Sequence, residues 1–347
     1  MRVLLVTQMW PGPANPDLGS FLVPVRRALE RLGHEVEVVA ISRRGGPPTK
    51  YARLALAAAA AARRRPPDVV FAHFLFPAGG AGALAAALGR APLVVMAHGQ
   101  DVANLGQIRG AETATRRILG RAGAVIANSR WLADRLVDRI PAATAKLEVI
   151  DCGVDLDAFA PRPSADARRE LGWDGEGPAL LCVGSLIERK NVVALADGFA
   201  TLGRGRLAFV GDGPLRGALE GRAGVRVVGR VPQAEVPDWI AACDVLCQPS
   251  RIEPFGQATL EGMAMERSVV ATKVGGPPEF VPPEAGVLVD PGDAAELAAA
   301  LAQAVELPSP NPAARAAAAE HDVRRQAARM AAVLERTAAA GVRSTES

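Results

Sequence analysis

The stretch ALLCVGSLIERKNVVALADGFATL, residues 179–202, decides the fold of this chain. It starts as an apolar, strand-like run, passes through the charged turn GSLIERKN (184–191), and continues with apolar residues at helical spacing. A second apolar run, RLAFVGDG (206–213), follows after a short connection. Strand, helix and strand in this order predict a βαβ unit, in which the two strands lie parallel in one sheet.

The same alternation extends through the whole chain. Strand candidates occupy residues 2–8, 36–41, 68–73, 92–98, 124–128 and 147–151 in the first half, and 225–231, 244–250, 268–276 and 286–293 in the second. Helical spacing marks residues 21–33, 81–90, 111–123 and 129–140, and later residues 236–243 and the segment after Glu253. The pattern predicts an α/β protein of two doubly wound, Rossmann-like domains that face each other across a cleft, with ligands at the carboxyl ends of the strands.

The length of the chain supports two domains, because 347 residues exceed what one hydrophobic core usually holds. The turn-rich segment after residue 151 puts the boundary near residue 160, which gives domains of residues 1–160 and 161–312. PSPNP (308–312) then precedes an Ala-rich run. We expect residues 313–347 to contain one helix, at 313–340, that packs back toward the N-terminal domain and is followed by a disordered tail.

Composition argues against several classes of function. A formal net charge of only +3 gives no basis for nucleic-acid binding. The four cysteines lack the paired spacing of a zinc site, so we expect buried free thiols in a reducing compartment, the cytoplasm. LALAAAAAARRR (54–65) is shorter than the roughly 20 apolar residues that span a bilayer. It predicts a solvent-facing helix, and peripheral contact of Arg63, Arg64 and Arg65 with a membrane surface is the alternative.

The stretch EPFGQATLE (253–261) carries the clearest chemical signal. Pro254 suits the first turn of a helix, so Glu253 would precede the helix and Glu261 would lie in its second turn. The backbone N–H groups expected to face a ligand belong to Phe255, Gly256 and Gln257. A carboxylate accepts hydrogen bonds from two vicinal hydroxyls, so two carboxylates beside an anion-binding helix start suit a nucleotide sugar. The alternative is that the acids only stabilise the helix N-terminus.

Two further turns are candidates for the same site. In GSLIERKN, Arg189 and Lys190 lie where a helix begins, and two cations there favour a bound phosphate over a merely solvated turn. In VVMAHGQD (94–101), His98 ends a strand and Asp101 follows it, and His73 ends another strand. For both histidines the alternative is a packed, structural role. Other residues expected at strand ends, and therefore in the site, are Asp17, Gly19, Ser185, Gly211, Arg230 and Val231. The acid pair in DLD (155–157) would suit a metal but lies in the predicted linker, which disfavours that role.

Motifs over nearly the whole chain resemble those of the retaining glycosyltransferases of family 4, also called glycosyl transferases group 1, which have the GT-B fold. The motifs are LGSF (18–21), AHGQD (97–101), VIDCGVDLDAF (149–159), VGSLIERKN (183–191), FVGDGPLR (209–216), PSRIEPFGQATLEGMA (249–264), VVATKVGGPPEFV (269–281) and GVLVDPGDAAELAAAL (286–301). The two glutamates separated by seven residues, in that context, are the most specific part.

The resemblance implies a role for individual residues on the donor side. Glu261 would bind the donor ribose, Glu253 would hold hydroxyls of the transferred sugar, and Lys190 would contact the diphosphate. The loop containing Arg230 and Val231 would lie by the nucleobase. Family members commonly have an arginine directly after the glycine of the GSL turn, where this chain has Ser185. Whether Arg189 supplies the missing charge is left open.

The resemblance also implies the reaction. His98 would approach the transferred sugar, Gly19 would lie near the donor phosphate and the acceptor, and Asp17, His73 and Asp101 would lie on the acceptor side. We expect retaining transfer from a nucleotide sugar, with UDP-sugars favoured and GDP-sugars next, to a glycan, lipid-linked or small-molecule acceptor. No cofactor and no metal are expected. The alternatives are an epimerase or phosphorylase of the same fold, or a non-catalytic subunit that binds a nucleotide sugar.

Overall fold

The computed structural model describes the backbone of residues 1–345 and the side chains of residues 1–341. The chain forms two compact units. Unit 1 consists of Met1–Gly153 and the segment from Val323 onward, and unit 2 is Val154–Asp322. The divisions therefore fall at residues 153 and 322, whereas the sequence suggested 160 and 312. The end of the expected disordered tail lies outside the described residues.

Unit 1 is built on one parallel sheet. Its strands are β1 (Arg2–Thr7), β2 (Glu35–Ala40), β3 (Val69–His73), β4 (Leu93–Ala97), β5 (Ala124–Ala127) and β6 (Leu147–Val149). Its helices are α1 (Leu22–Arg31), α2 (Thr49–Arg64), α3 (Ala78–Gly89), α4 (Gln100–Ala103), α5 (Ala111–Arg121) and α6 (Arg130–Arg139). The strands lie in the order β2-β1-β3-β4-β5-β6. Because β3 and β4 are neighbours, their carboxyl ends bring residues 73 and 98 together.

The central strands are apolar on both sides, as expected for a parallel sheet covered by helices on both faces. Along β1, Leu4 and Val6 belong to one core, while Val3 and Leu5 belong to the core on the opposite face. Every residue of β1 is buried. Successive side chains of the strand therefore lie on opposite faces of the sheet.

Helix α2 differs from the solvent-facing helix expected at residues 54–65. Leu54, Ala58 and Ala61 are buried in the core, and α2 packs against α3. Small alanine side chains allow this close helix contact, so the Ala-rich run forms an interface inside unit 1. Among residues 1–345, no helix combines the length and the apolar character needed to cross a membrane.

Unit 2 repeats the architecture. Its strands are β7 (Ala179–Val183), β8 (Arg206–Val210), β9 (Val225–Gly229), β10 (Val245–Gln248), β11 (Ser268–Thr272) and β12 (Gly286–Val289). Its helices are α7 (Ser164–Leu171), α8 (Val192–Leu202), α9 (Arg216–Leu219), α10 (Val236–Ala242), α11 (Gln257–Ala264), α12 (Ala294–Ala304) and α13 (Pro312–Ala319). The strands are parallel in the order β12-β11-β10-β7-β8-β9. Neighbouring β7 and β10 therefore bring the turns after residues 183 and 248 side by side. All four cysteines of the chain are buried and free.

The C-terminal segment forms two helices, so the expectation of one helix at 313–340 is wrong. Helix α13 packs against α11 in unit 2, and helix α14 (Val323–Thr345) packs against α1 in unit 1. Between them the backbone leaves helical geometry, and the carbonyl of His321 accepts a hydrogen bond from the N–H of Val154 at 2.8 Å. The helix is thus interrupted where the chain returns to unit 1.

Candidate active site

The ends of β7 and β10 bring three polar side chains of unit 2 together. The Lys190 ammonium donates to Oε2 of Glu253 at 2.5 Å, and the Ser250 hydroxyl donates to the same oxygen at 3.0 Å. Arg189 Nη1 lies 4.0 Å from this oxygen and donates to the carbonyl of Ile252 at 3.0 Å. Lys190 and Glu253 have side chains that are only 15% and 11% exposed. The result is a cluster of two cations and one carboxylate in which Lys190 and Glu253 are largely shielded from solvent.

Electrostatics keeps the Glu253 carboxylate ionised. Burial alone would raise its pKa, but the charges of Lys190 and Arg189 and the hydrogen bonds from Lys190 and Ser250 lower the pKa below its ordinary value. Lys190 and Ser250 both donate to Oε2 of Glu253, and Arg189 lies 4.0 Å from the same oxygen. The carboxylate therefore keeps acceptor capacity for hydroxyl groups.

Glycines fix the backbone that carries Glu253. The N–H of Glu253 donates to the carbonyl of Val274 at 3.0 Å, and the Gly276 N–H donates to the carbonyl of Glu253 at 2.9 Å. Gly275 has a φ of +129°, and a Cβ at this position would lie 1.9 Å from the Glu253 carbonyl oxygen. No other residue fits this contact without a shift of the backbone.

The helix after Glu253 starts later than the sequence suggested. Gly256 has a φ of +110° and is the residue before α11, so Pro254 lies in the preceding loop and not in the first helical turn. Among the side chains that the structure describes, none caps this N-terminus, and the first intrahelical bond runs from Leu260 N–H to the Gly256 carbonyl at 3.0 Å. An uncapped helix start beside Lys190 is suited to an anion.

Glu261 lies one turn into α11 and is buried. Burial raises its pKa to about 8, even though a hydrogen bond with the Gln257 side chain and the charge of Lys190 lower it. Near neutral pH this carboxyl is therefore mostly protonated and is able both to donate and to accept hydrogen bonds. Glu253 and Glu261 thus differ in charge although they lie in one loop and helix.

The turns after β7 and β8 pack tightly against each other. A Cβ on Gly211 would lie 1.9 Å from the carbonyl oxygen of Gly184, whose own N–H donates to the Val210 carbonyl at 2.9 Å. Gly211 is therefore required for this packing. Ser185 is exposed on the same turn, and Arg189 is the residue that brings a guanidinium to Glu253.

The other expected donor-side residues of unit 2 have different surroundings. Arg230 is exposed, and Val231 is half-buried against the core. The Phe255 ring is buried, with its centroid 5.3 Å from that of Phe280 and 6.2 Å from that of His321. The Phe255 side chain thus packs inside the protein and supports the loop. The backbone of Phe255 is the part of this residue that is available to contact a ligand.

In unit 1, the ends of β3 and β4 bring two histidines into contact. Nδ1 of His73 lies 3.0 Å from Nε2 of His98. His73 has no exposed surface, whereas His98 is partly exposed and is flanked by the rings of Phe74 and Phe21 at 4.5 and 5.4 Å. Burial lowers the pKa of His98 to about 3 and that of His73 well below its usual value. Both rings are therefore neutral.

Asp101 shapes the turn that carries His98. The carboxylate is buried and accepts hydrogen bonds from the backbone N–H groups of Leu75 at 2.9 Å, His98 at 3.1 Å, Gly99 at 2.8 Å and Val102 at 3.1 Å. Its oxygens are thus occupied by the backbone. The geometry assigns Asp101 to holding this turn and the buried His73 to supporting His98, where the sequence suggested contact of both with an acceptor.

The loop that contains LGSF (18–21) in unit 1 is held by contacts at its edge. Asp17 forms a two-bond ion pair with Arg44, at 2.7 and 2.8 Å, on the exposed surface. Gly19 has a φ of +68°, and a Cβ there would lie 2.5 Å from the carbonyl oxygen of Met9. Glycine at this position therefore lets two loop segments touch.

Residues beyond the sequence predictions also contribute. The Asn128 amide donates to the His98 carbonyl at 3.3 Å, and the buried Gln248 amide donates to the Val183 carbonyl at 2.6 Å. Both residues are polar groups at the ends of apolar strands, a signal present in the sequence. Asp155 of the DLD segment accepts the N–H groups of Asp157 and Ala158, both at 3.1 Å, in a local turn. Within the described part of the chain, no three His, Cys, Asp or Glu side chains form a group that could hold a metal.

Two α/β units with six parallel strands each have the architecture of the GT-B fold. The model of the glycosyl transferases group 1 matches residues 177–306, and that of glycosyltransferase family 4 matches residues 19–158. The chain belongs to glycosyltransferase family 4 and is a glycosyltransferase.

Individual relatives support this assignment. The chain is 30% identical to a D-inositol 3-phosphate glycosyltransferase of Thermobispora bispora, over 74% of this chain and 67% of that protein. It is 25% identical to a putative teichuronic acid biosynthesis glycosyltransferase, TuaC, of Bacillus subtilis, over 87% of this chain and 88% of that protein. The crystal structure of Anabaena HepE in complex with UDP-glucose matches with a TM-score of 0.75 and 24% identity, over 96% of this chain and 99% of HepE.

Proposed function

We propose that this enzyme transfers a sugar from a nucleotide-sugar donor, a UDP-sugar before a GDP-sugar, to an acceptor hydroxyl with retention of the anomeric configuration. The observation that carries the proposal is the Lys190–Glu253 pair beside the uncapped start of α11. This arrangement combines a cation, an ionised acceptor and an anion-binding helix end within one unit.

The diphosphate is the group that this cluster suits first. Lys190 has three N–H donors and uses one on Glu253, so two remain for phosphate oxygens. The Arg189 side chain is 40% exposed and brings a second cation, in place of the charge that Ser185 lacks. Together with the α11 N-terminus, these groups would stabilise the negative charge that develops on the leaving diphosphate. We expect no metal requirement for that reason.

The two glutamates suit the two hydroxyl-rich ends of the donor. Glu253 is ionised and would accept hydrogen bonds from vicinal hydroxyls of the transferred sugar. Glu261 is mostly protonated near neutral pH and would exchange hydrogen bonds with the ribose hydroxyls. In unit 1, the partly exposed His98 would contribute one hydrogen bond to a substrate hydroxyl.

The proposed reaction is a same-face displacement. The bond between the anomeric carbon and the phosphate oxygen breaks, and the acceptor oxygen forms a bond to the same face of that carbon. The acceptor proton moves to the departing phosphate oxygen, which becomes part of the free nucleoside diphosphate. Lys190 and Arg189 act electrostatically and stay protonated throughout.

Relatives guide the choice of substrates. HepE was crystallised with UDP-glucose, which supports a UDP-sugar as the first donor to test. TuaC is named for teichuronic acid biosynthesis, which supports a cell-envelope glycan as acceptor, and the D-inositol 3-phosphate relative supports a small polyol phosphate. A lipid-linked acceptor remains part of the proposal.

A donor screen tests the proposal. The protein is mixed with UDP-glucose, UDP-N-acetylglucosamine and GDP-mannose, and the melting temperature and the slow release of nucleoside diphosphate are measured, because a ligand of the folded state raises the melting temperature. We expect one UDP-sugar to give the largest shift and to be hydrolysed. Product anomericity, measured by proton NMR, then tests retention. An inverted product contradicts same-face displacement, and interconversion of the donor sugar without transfer favours an epimerase.

A further inference from the structure

His73 is a buried histidine whose two ring nitrogens have unequal surroundings. Its Nδ1 faces Nε2 of His98 at 3.0 Å. Its Nε2 is buried and has no hydrogen-bond partner among the residues that the structure describes. A contact of this length between two neutral rings needs one donor and one acceptor, so a single proton lies between the facing nitrogens.

Two arrangements of protons satisfy this contact. If Nε2–H of His98 donates, the one proton of His73 must be on its own Nε2, where a buried N–H would have no acceptor. If Nδ1–H of His73 donates, the buried Nε2 of His73 is a bare acceptor. A buried donor without a partner is the rarer of the two defects in proteins. The second arrangement is therefore favoured.

We infer that His73 is a positioning residue that donates its Nδ1–H to Nε2 of His98 and so keeps the ring proton of His98 on Nδ1. His98 then offers a donor to the substrate, and the substrate hydroxyl must accept. The inference deepens the proposed function, on which it rests for the identity of that substrate. Burial lowers the pKa of both rings, which agrees with one proton on each.

The surroundings hold the His98 ring in this orientation. Asp101 accepts the N–H of His98 at 3.1 Å, and Asn128 donates to its carbonyl at 3.3 Å. The rings of Phe74 and Phe21 lie at 4.5 and 5.4 Å on its surface. Backbone and ring are thus both restrained, and the hydrogen bond with His73 selects which nitrogen carries the proton.

Nitrogen-15 NMR of the unliganded protein tests the tautomer without any assay of activity. Two-bond correlations of the imidazole rings separate protonated from bare ring nitrogens, and single substitutions assign the four histidines of the chain. We expect protonated Nδ1 and bare Nε2 in both His73 and His98. A proton on Nε2 of His98 overturns the inference.

Two variants of similar size test the positioning role. His73→Asn retains an N–H donor near the position of Nδ1, and His73→Leu offers no hydrogen-bonding group. We expect the Asn variant to keep most of kcat and the Leu variant to lose about ten- to a hundredfold, as when the outer partner of a metal-binding histidine is lost. Circular dichroism and melting temperature identify variants that fail to fold.

Equal losses of kcat in the folded Asn and Leu variants contradict the positioning role, because Asn is able to donate a hydrogen bond to Nε2 of His98 and Leu is not. A wild-type protein that transfers no sugar from any nucleotide donor refutes the proposed function instead. The NMR result still decides the tautomer in that case, so the two failures are distinguishable.

Discussion

Glu253 in unit 2 is buried and His98 in unit 1 is partly buried, and their surroundings favour opposite charge states. Glu253 stays ionised because Lys190 lies 2.5 Å away and Arg189 lies at 4.0 Å. His98 has a neutral imidazole as its ring partner, and burial lowers its pKa to about 3. The difference agrees with the proposed function, in which unit 2 would bind a charged diphosphate and unit 1 would offer a neutral hydrogen bond.

Removal of the cation in unit 2 should have the largest effect. Lys190→Ala deletes the charge next to the proposed diphosphate, and we expect kcat to fall about 10²–10³-fold, as when one electrostatic stabiliser of a transition state is lost. The matched control is Lys273→Ala, because Lys273 is another of the four lysines and forms an exposed pair with Glu296. Steady-state kinetics measures both. A control loss equal to that of Lys190→Ala contradicts the assignment.

The counterpart in unit 1 is the carboxylate that holds the His98 turn. Asp101→Asn replaces an acceptor of four backbone N–H groups by an amide that brings its own N–H, so we expect a loss of about 2–4 kcal/mol in the free energy of unfolding. Urea denaturation measures this loss. Asp138→Asn, at an exposed site on α6, serves as the control and should be neutral. An unchanged stability in Asp101→Asn refutes the structural role.

The pH dependence of stability sharpens the contrast between the two acids of unit 2. The pKa of Glu261 is raised from 4.5 to about 8, so its contribution to stability is complete below pH 4.5 and is lost as the pH rises to about 8. Glu261→Gln should abolish this loss, which we expect to be about 1–3 kcal/mol between pH 5 and 8.

Melting temperatures at several pH values check this expectation. Glu306→Gln is the control, because Glu306 is exposed and forms a surface ion pair with Arg204. Identical pH profiles of wild type and Glu261→Gln would mean that Glu261 is ionised like an ordinary carboxylate.

The smallest effect is expected at the edge of the unit 1 loop. Asp17 and Arg44 form an exposed ion pair, and such pairs contribute about 0–1 kcal/mol. Arg44→Ala should therefore change the free energy of unfolding by less than about 1 kcal/mol, and the change should shrink in high salt. A larger loss, measured in urea at low and high salt, would show that the pair determines the loop conformation.

Periodicity predicted the sheets well, because buried parallel strands are continuous apolar runs between turn signals. Strand β1 was expected at residues 2–8 and spans Arg2–Thr7. The sequence also predicted that Glu253, Lys190 and Arg189 lie in one site, because each follows a strand. The structure places them together because β7 and β10 are neighbours. The roles of these residues in binding and catalysis stay predictions.

Other features depend on contacts that a linear pattern does not contain. The start of α11 was missed because the positive φ of Gly256 outweighs the preference of Pro254 for a first turn. The burial of α2 was missed because alanines give no strong signal for a face. The structural role of Asp101 depends on four backbone N–H groups. One of these belongs to Leu75, which is distant from Asp101 in the sequence.

The return of the chain at Asp322 has a consequence for how the protein is divided. Unit 2 is one continuous segment inserted into unit 1, whereas unit 1 is discontinuous and needs α14 to cover the apolar face that includes Val3 and Leu5. A cut after residue 153 would strip Met330 and Leu334 from that core. The piece that is separable by simple truncation is therefore unit 2, the proposed nucleotide-sugar-binding unit, and unit 1 becomes a single chain only if its two segments are rejoined.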